Sequence, residues 1–562
     1  MGRDHDADKK CRTPKKQRKT AADNGKINSF VSGVLVLTIS NLLVKTAGLL
    51  FKIPMNYIVG DTGMGYYNSA YSVYTFFYML STSGLPIAIS VMVSEARSKG
   101  KIAAAKLIYR IALVIFIAVG LIVSVLMSLG ASSIAELIKS DKAALSTAVI
   151  APTMFFICIS SAIRGYFQGC GNMLPTAVSQ LIEAVGKLII GVAAASYAIG
   201  KGYDVHIIAA YAASGLTIGS VGGWLYLAAA KIFRRDKDLM PGHSNLSYDK
   251  PQYTEIILRF VKISLPVTLS SSVMSLTNMI DTVLIQRILR NSGLTGESAA
   301  ALYGNYTSLA VPMFNLPPVF VYPIAYALVP TVAAALASKD YTQAREKTEF
   351  SLRYAVMIGL PCALGMSVMA DPILCLFYKD VSAHTAAPLL TYLAPSSFFV
   401  CILAVTNSIL QGAGKEKLPL ISMLCGAVVK CIGNVILIEN YGIVGAPIAT
   451  FACYFTVTFI NMAFVVKFMG IELTFAKTLL KPLAASVVCA FSAVLIYDRM
   501  YILIGGGGAC AISIITAAVV YLILVLITGA VTKDELKKLL GRDDTEKRKE
   551  DGIEHKRTQK QT

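Results

Sequence analysis

Charge is what this sequence has least of. Only 15% of its 562 residues are Asp, Glu, Lys or Arg, against about a quarter in an ordinary soluble domain. With 55% hydrophobic residues and a mean hydropathy of +0.61, that scarcity excludes a water-soluble globule. Catalytic and nucleotide-binding signatures are also missing. No GxxxxGK[ST] loop occurs, which excludes direct driving by ATP within this chain, and the short turns QGCGN and QGAGK lack the spacing of a phosphate loop. There is no GxSxG or paired-carboxylate loop, and the five histidines, His5, His206, His243, His384 and His555, are scattered without metal-ligand spacing. No enzyme activity, cofactor or metal is therefore expected; a membrane glycosyltransferase or ligase would need a large outer loop, and the outer loops are short. The eleven cysteines sit mostly inside apolar segments as small packing residues and imply no disulfide framework. The first 28 residues have no apolar core followed by a small-residue cleavage site, so they are read as a retained tail and not as a signal peptide.

What the chain does have is a succession of apolar stretches, each long enough to cross roughly 30 Å of hydrocarbon as a helix. Fourteen are expected, at 29–51, 67–93, 108–130, 144–167, 176–199, 206–230, 260–286, 303–335, 351–370, 385–410, 418–438, 443–466, 479–497 and 508–531. With the N-terminus inside, 39 of the 52 Lys and Arg fall in segments on the cytoplasmic side and seven in loops on the other. That asymmetry predicts a multi-pass protein of the cell membrane with both termini cytoplasmic. It also accounts for the net charge of +19 without nucleic acid: the basic tails mark topology or meet anionic lipid.

Two internal repeats emerge when the chain is slid against itself. FQGCGNMLP (167–175) returns as LQGAGKEKLP (410–419), and the same shift of 243 brings Lys187 onto Lys430; a shift of 237 brings Asn68 onto Asn305 and Pro86 onto Pro323. An even number of helices per unit gives both copies the same orientation, a parallel repeat about the membrane normal. The expected fold is thus an all-α integral membrane bundle of about 14 transmembrane helices: two six-helix lobes around a central cavity plus two C-terminal helices. The divisions are a basic N-terminal tail (1–28), an N-lobe (29–230), a cytoplasmic linker (231–259), a C-lobe (260–466), helices 13 and 14 (467–531) and a charged cytoplasmic tail (532–562).

Six cations lie within these spans or at their edges: Lys45, Lys52, Arg164, Lys187, Lys262 and Lys430. Charges in a membrane span are costly. Snorkelling to the headgroups would account for Arg164 and Lys262 near cytoplasmic ends and for Lys52 near the outer end, but less well for the other three. On helix 1, Thr38, Asn41, Lys45 and Lys52 share one face; on helix 7, Thr268, Ser271, Ser275, Asn278 and Thr282 do the same. Such stripes on the first helices of two lobes suit a hydrated cavity between them, with Asn41 and the six cations as candidate substrate contacts. Close packing of small Ser and Thr residues between helices is the competing account for helix 7. The acids Glu183 and Asp281 are candidate sites for a coupling ion, H⁺ or Na⁺. Mutual neutralisation of Glu183 with Lys187, four residues on, is the plainer reading. Asp281 has no local partner in sequence and could instead pair with a cation of the other lobe.

The stretches KTAGLLFKIPMNYIVGDTGMGYYNSAYSVY (45–74), SGLPIAISVMVSEARSKG (83–100), NMIDTVLIQRI (278–288) and YGNYTSLAVPMFNLPPVFVYPIAYALVPTVAAALASK (303–339) resemble the stage V sporulation protein B branch of the polysaccharide transporter family. That branch lies near the lipid II flippases, in the superfamily of multidrug, oligosaccharidyl-lipid and polysaccharide exporters. The resemblance covers about residues 28–531. It implies a flippase that works by alternating access and carries an undecaprenyl-pyrophosphate-linked sugar or muropeptide to the outer leaflet, for cell-wall, spore-cortex or polysaccharide synthesis. It also implies cavity cations, where Lys45 and Lys52 stand in places that some relatives fill with Arg. The expected partners are an anionic lipid-linked glycan, membrane lipids and a coupling ion, with the protein acting as a monomer. A cation-coupled multidrug exporter of the same superfamily and a non-transporting scaffold for cell-wall enzymes are the alternatives.

Overall fold

A computed structural model describes residues 15–233, 253–378, 380–471 and 476–529. The expected C-terminal tail, most of the linker and half of the N-terminal tail lie outside the described residues. Every regular element among those described is helical, as lipid demands, because only a helix satisfies its own backbone polar groups away from water.

The N-lobe comprises α1 (Lys15–Thr82), α2 (Gly84–Ser98), α3 (Ile102–Leu129), α4 (Ala131–Ile138), α5 (Ala144–Gly169), α6 (Leu174–Gly200) and α7 (Val205–Phe233). The C-lobe follows as α8 (Tyr253–Asn291), α9 (Gly296–Asn305), α10 (Val311–Phe314), α11 (Leu316–Ala337), α12 (Tyr341–Val368), α13 (Ala370–Phe377), α14 (Asp380–Gly412), α15 (Lys417–Tyr441) and α16 (Gly445–Met469). The appended pair is α17 (Lys481–Ile504) and α18 (Gly506–Ile527), which pack on α12 and α13.

Eleven segments among the described residues are long and apolar enough to cross a membrane, fewer than the fourteen expected. Leu43–Ser98 and Lys417–Met469, 56 and 53 residues long, each take in two expected spans. The first is bent at Gly60, whose φ of 72° only glycine adopts freely, and the second at the short turn Gly442–Val444. The Ser- and Thr-rich α8 is not among the eleven.

The repeat is visible in the backbone. The eight-residue α4 and α13 occupy matching places in the two lobes, and neither was expected from hydropathy, being too short to span. The turns after α5 and α14 are built alike. Gly171 (φ 79°) and Gly414 (φ 69°), 243 residues apart, take the left-handed cap that glycine permits. Each donates to a matching glutamine carbonyl, Gly171 to Gln168 and Gly414 to Gln411, both at 2.9 Å.

Helix packing relies on small residues, since lipid supplies no hydrophobic drive between helices. Between α6 and α7, a Cβ on Gly186 would lie 2.6 Å from the Gly219 Cα, so these backbones touch. The lobes meet as closely at the end away from the basic turns, where Gly65 faces the Ala300 backbone and Gly304 faces the Asp61 carbonyl.

Candidate functional site

The six candidate cations separate into neutralised and unneutralised groups. Arg164 on α5 donates from Nη2 to Glu183 Oε1 at 2.6 Å and from Nε to Ser179 Oγ at 2.9 Å; their side chains are only 6% and 16% exposed. Glu183 thus takes Arg164, from the neighbouring helix, and not Lys187 on its own. Helical spacing made Lys187 available, but the Arg164 guanidinium reaches across with a second hydrogen bond. Lys430 on α15 pairs with Asp281 on α8, 8% and 12% exposed, and Asn434 donates to the second Asp281 oxygen at 2.6 Å. Asp281 therefore has its partner within its own lobe and not across the interface. A buried charge of this kind is held only by such complete pairing.

Lys45, Lys52 and Lys187 form no ion pair with a carboxylate among the described residues. Lys45 is exposed on α1 and places Nζ 4.1 Å from the centroid of Tyr322, on α11 of the other lobe, a cation–π contact. Lys52 crosses the same interface to donate to the Thr307 carbonyl at 2.6 Å. That acceptor is free for a local reason. Residues 306–310 form a π-helical turn, whose register would direct Thr307 O to residue 312, and Pro312 has no N–H to give. The Ser308 carbonyl, which the α-helical register would also direct to residue 312, instead accepts from Tyr378 Oη at 3.2 Å. Lys187 on α6 points among rings, 4.4 Å from Tyr71 and 4.8 Å from Phe51. Lys262 is exposed on α8.

Asn41 shares a helical face with Lys45 and Lys52 in sequence, yet the structure divides them. Asn41, Val44 and Gly48 line an open cavity of about 290 Å³ between N-lobe helices, together with Arg164, Glu183 and Lys187, while Lys45 and Lys52 reach C-lobe atoms. One wall of this cavity was missed from sequence. Tyr71, Tyr74 and Tyr78 form it and continue a row that starts at Tyr67, at spacings of four, three and four along α1, with successive ring centroids 5.9, 5.6 and 5.8 Å apart. That helical spacing was the available signal.

Polar contacts between the lobes were missed too, because each residue alone reads as an ordinary small polar side chain. Asn68 donates to Ser308 Oγ at 2.5 Å and Gln286 to Ser69 Oγ at 2.7 Å. Ser382 on α14 donates to Asp61 at 2.9 Å. Further out, Lys142 pairs with Glu297 at 2.6 Å and Arg290 donates to the Lys139 carbonyl at 2.8 Å. At the basic end, Arg259 on α8 pairs with Glu95 on α2. As for metals, Asp371, Cys375 and His384 could bring three ligand atoms within 4.8 Å of one another; His384 and Asp371 already hydrogen-bond at 2.6 Å.

A family model described as polysaccharide biosynthesis protein matches residues 30–336, and one described as MatE matches residues 266–436. Stage V sporulation protein B of Bacillus subtilis is 27% identical over 522 residues, 91% of this chain and 98% of its own. The lipid II flippase MurJ of the same organism is 26% identical over 441 residues, 75% of this chain and 80% of its own. Among solved structures, lipid II flippase MurJ in an inward closed conformation superposes with a TM-score of 0.68 at 15% identity, over 88% of this chain and 98% of that one. That likeness shows a common fold.

Proposed function

The chain belongs to the polysaccharide biosynthesis protein family, and from that premise we propose that it is a membrane transporter of the MOP superfamily that flips an undecaprenyl-pyrophosphate-linked oligosaccharide or muropeptide from the inner to the outer leaflet. The observation that carries this reading is the set of three lysines, Lys45, Lys52 and Lys187, held on membrane helices without a carboxylate among the described residues. Uncompensated cations are expensive in a membrane, and a pyrophosphate bears about two negative charges that hydrocarbon rejects. Lys45 and Lys52 hold the lobe interface through a ring face and a carbonyl. Both are weak partners that an arriving phosphate displaces readily. The lipid tail stays in the bilayer while the headgroup passes between lobes.

The excess of Lys and Arg in the segments on one side of the expected spans supports a cytoplasmic position for both termini. Asp281 and Glu183 are the carboxylates available to a coupling proton or Na⁺, and either ion would have to compete with Lys430 or Arg164. The match of residues 266–436 to the MatE model favours a second reading, a cation-coupled drug exporter, but unneutralised lysines repel a cationic drug.

The test is binding of an undecaprenyl-pyrophosphate-linked muropeptide to the protein in lipid nanodiscs, with and without excess pyrophosphate, followed by flipping in proteoliposomes. Binding that pyrophosphate competes away, with flipping lost in Lys45→Ala/Lys52→Ala, is the expected result. Full flipping by a folded double variant removes both lysines from the mechanism.

A further inference from the structure

The N-lobe cavity holds more than a charge. Its wall of Tyr71, Tyr74 and Tyr78 presents flat apolar surface with polar tips. Beside it lies Gln180, whose Oε1 is buried and has no hydrogen-bond donor among the described residues. A buried carbonyl oxygen without a donor is costly, and Gln180 lines the cavity, where a rotation of its amide would turn that oxygen toward a donor. Lys187 adds a cation without a carboxylate. A ligand that satisfies all three has an apolar face to lie on the rings, a hydroxyl or amide N–H to give to Gln180, and an anionic group for Lys187. Those are the properties of a sugar phosphate. The volume of about 290 Å³ sits at the lower limit of ligand pockets, which suits one sugar with its phosphate, the rest of a larger cargo lying outside it.

We infer that this cavity, inside the N-lobe and apart from Lys45 and Lys52 at the lobe interface, is a subsite for a single sugar phosphate, with Lys187 on the phosphate, Gln180 accepting from the sugar and Tyr71, Tyr74 and Tyr78 beneath its ring. The inference rests on the flippase reading and deepens it: the unit bound is the sugar adjoining the phosphates of the cargo. The pair Arg164–Glu183 lines the cavity and is already satisfied, so it shapes the subsite without contributing a free charge.

The experiment is calorimetric binding to the full chain in phosphatidylcholine nanodiscs, using N-acetylglucosamine 1-phosphate, free N-acetylglucosamine and inorganic phosphate as probes. The sugar phosphate should bind at least tenfold more tightly than either part. Gln180→Met keeps the shape and removes the acceptor. It should weaken the sugar phosphate about tenfold, the scale of one hydrogen bond, and leave phosphate unchanged. Lys187→Met should weaken both, and Tyr71→Leu only the sugar-bearing probes, with unfolding temperatures of all three variants measured to control for folding. Equal affinity for phosphate and sugar phosphate, no binding of either, or an unaffected Gln180→Met protein overturns the subsite. Displacement by phosphatidylinositol added to the nanodisc at lower concentration than the sugar phosphate also overturns it, by assigning the cavity to a bilayer headgroup. Flipping is measured on the same preparations. Wild type that flips the lipid-linked glycan but fails the sugar test sinks this inference alone, and wild type that passes the sugar test but flips nothing sinks the flippase reading alone.

Discussion

The two lobes are copies of one unit that use buried charge in opposite ways. In the C-lobe, Lys430 is matched by Asp281, whose other oxygen accepts from Asn434, leaving no net charge to offer. In the N-lobe, the residue 243 positions earlier, Lys187, lies among rings without an ion pair to a carboxylate among the described residues and lines a cavity. Duplication supplied the same lysine twice. Divergence of its neighbours made one a structural pair and the other a candidate ligand contact.

The sharpest way to break this comparison is to neutralise each lysine in turn and measure transport. Lys187→Met should lower flipping by more than a hundredfold while the protein stays folded, since an unpaired cation leaves no orphaned acid behind. Asp281→Leu/Lys430→Met should flip at a substantial fraction of wild type. Equal losses in both would show that the lobes are not specialised.

Stability should reverse the order. Lys430→Met alone strands a buried carboxylate and should cost about 3–5 kcal/mol, whereas removing both partners should be close to neutral. Thermal unfolding in detergent measures both, and an unaffected single variant would mean that Asp281 is protonated or hydrated. A smaller effect is expected where α6 meets α7. A Cβ at Gly219 would stand 2.7 Å from the Glu183 carbonyl and 3.0 Å from the Lys187 nitrogen, so Gly219→Ala should cost about 1–3 kcal/mol by overpacking. It should also weaken flipping by moving Lys187, and an unchanged unfolding temperature would contradict the backbone contact.

The smallest effect concerns the surface contact between lobes. Lys142 holds the Glu297 carboxyl below its usual range, chiefly through their hydrogen bond. A depressed carboxylate contributes stability above its ordinary range and loses it as pH falls through the lowered value. Because both groups are exposed, the contribution should be barely measurable. Glu297→Gln should leave the unfolding temperature unchanged at neutral pH, and a clear drop would reveal a stronger latch between lobes.

Legibility followed the range of the forces involved. Residues 174–200 and 205–233 were readable as helices almost to their ends, because hydropathy and helical hydrogen bonding act within a few turns. The parallel repeat could be read from two short matches, and the equivalent turns at Gly171 and Gly414 carry it in the backbone. Spacing favoured Lys187 as the partner of Glu183, because spacing along one helix says nothing about the Arg164 guanidinium arriving from another. Asp281 looked partnerless since its lysine lies 149 positions on in the chain.

Composition and sequence order determined that this chain is a multi-pass helical membrane protein of duplicated lobes with a handful of costly charges, since those properties follow from local burial in lipid and from counting. Only the tertiary structure decided which charges are spent on each other and which remain available. That choice depends on helix crossings, on the bend at Gly60 and on a carbonyl freed by Pro312, which set side-chain distances across helices to within an ångström or two, the range over which an ion pair or a hydrogen bond is made or lost.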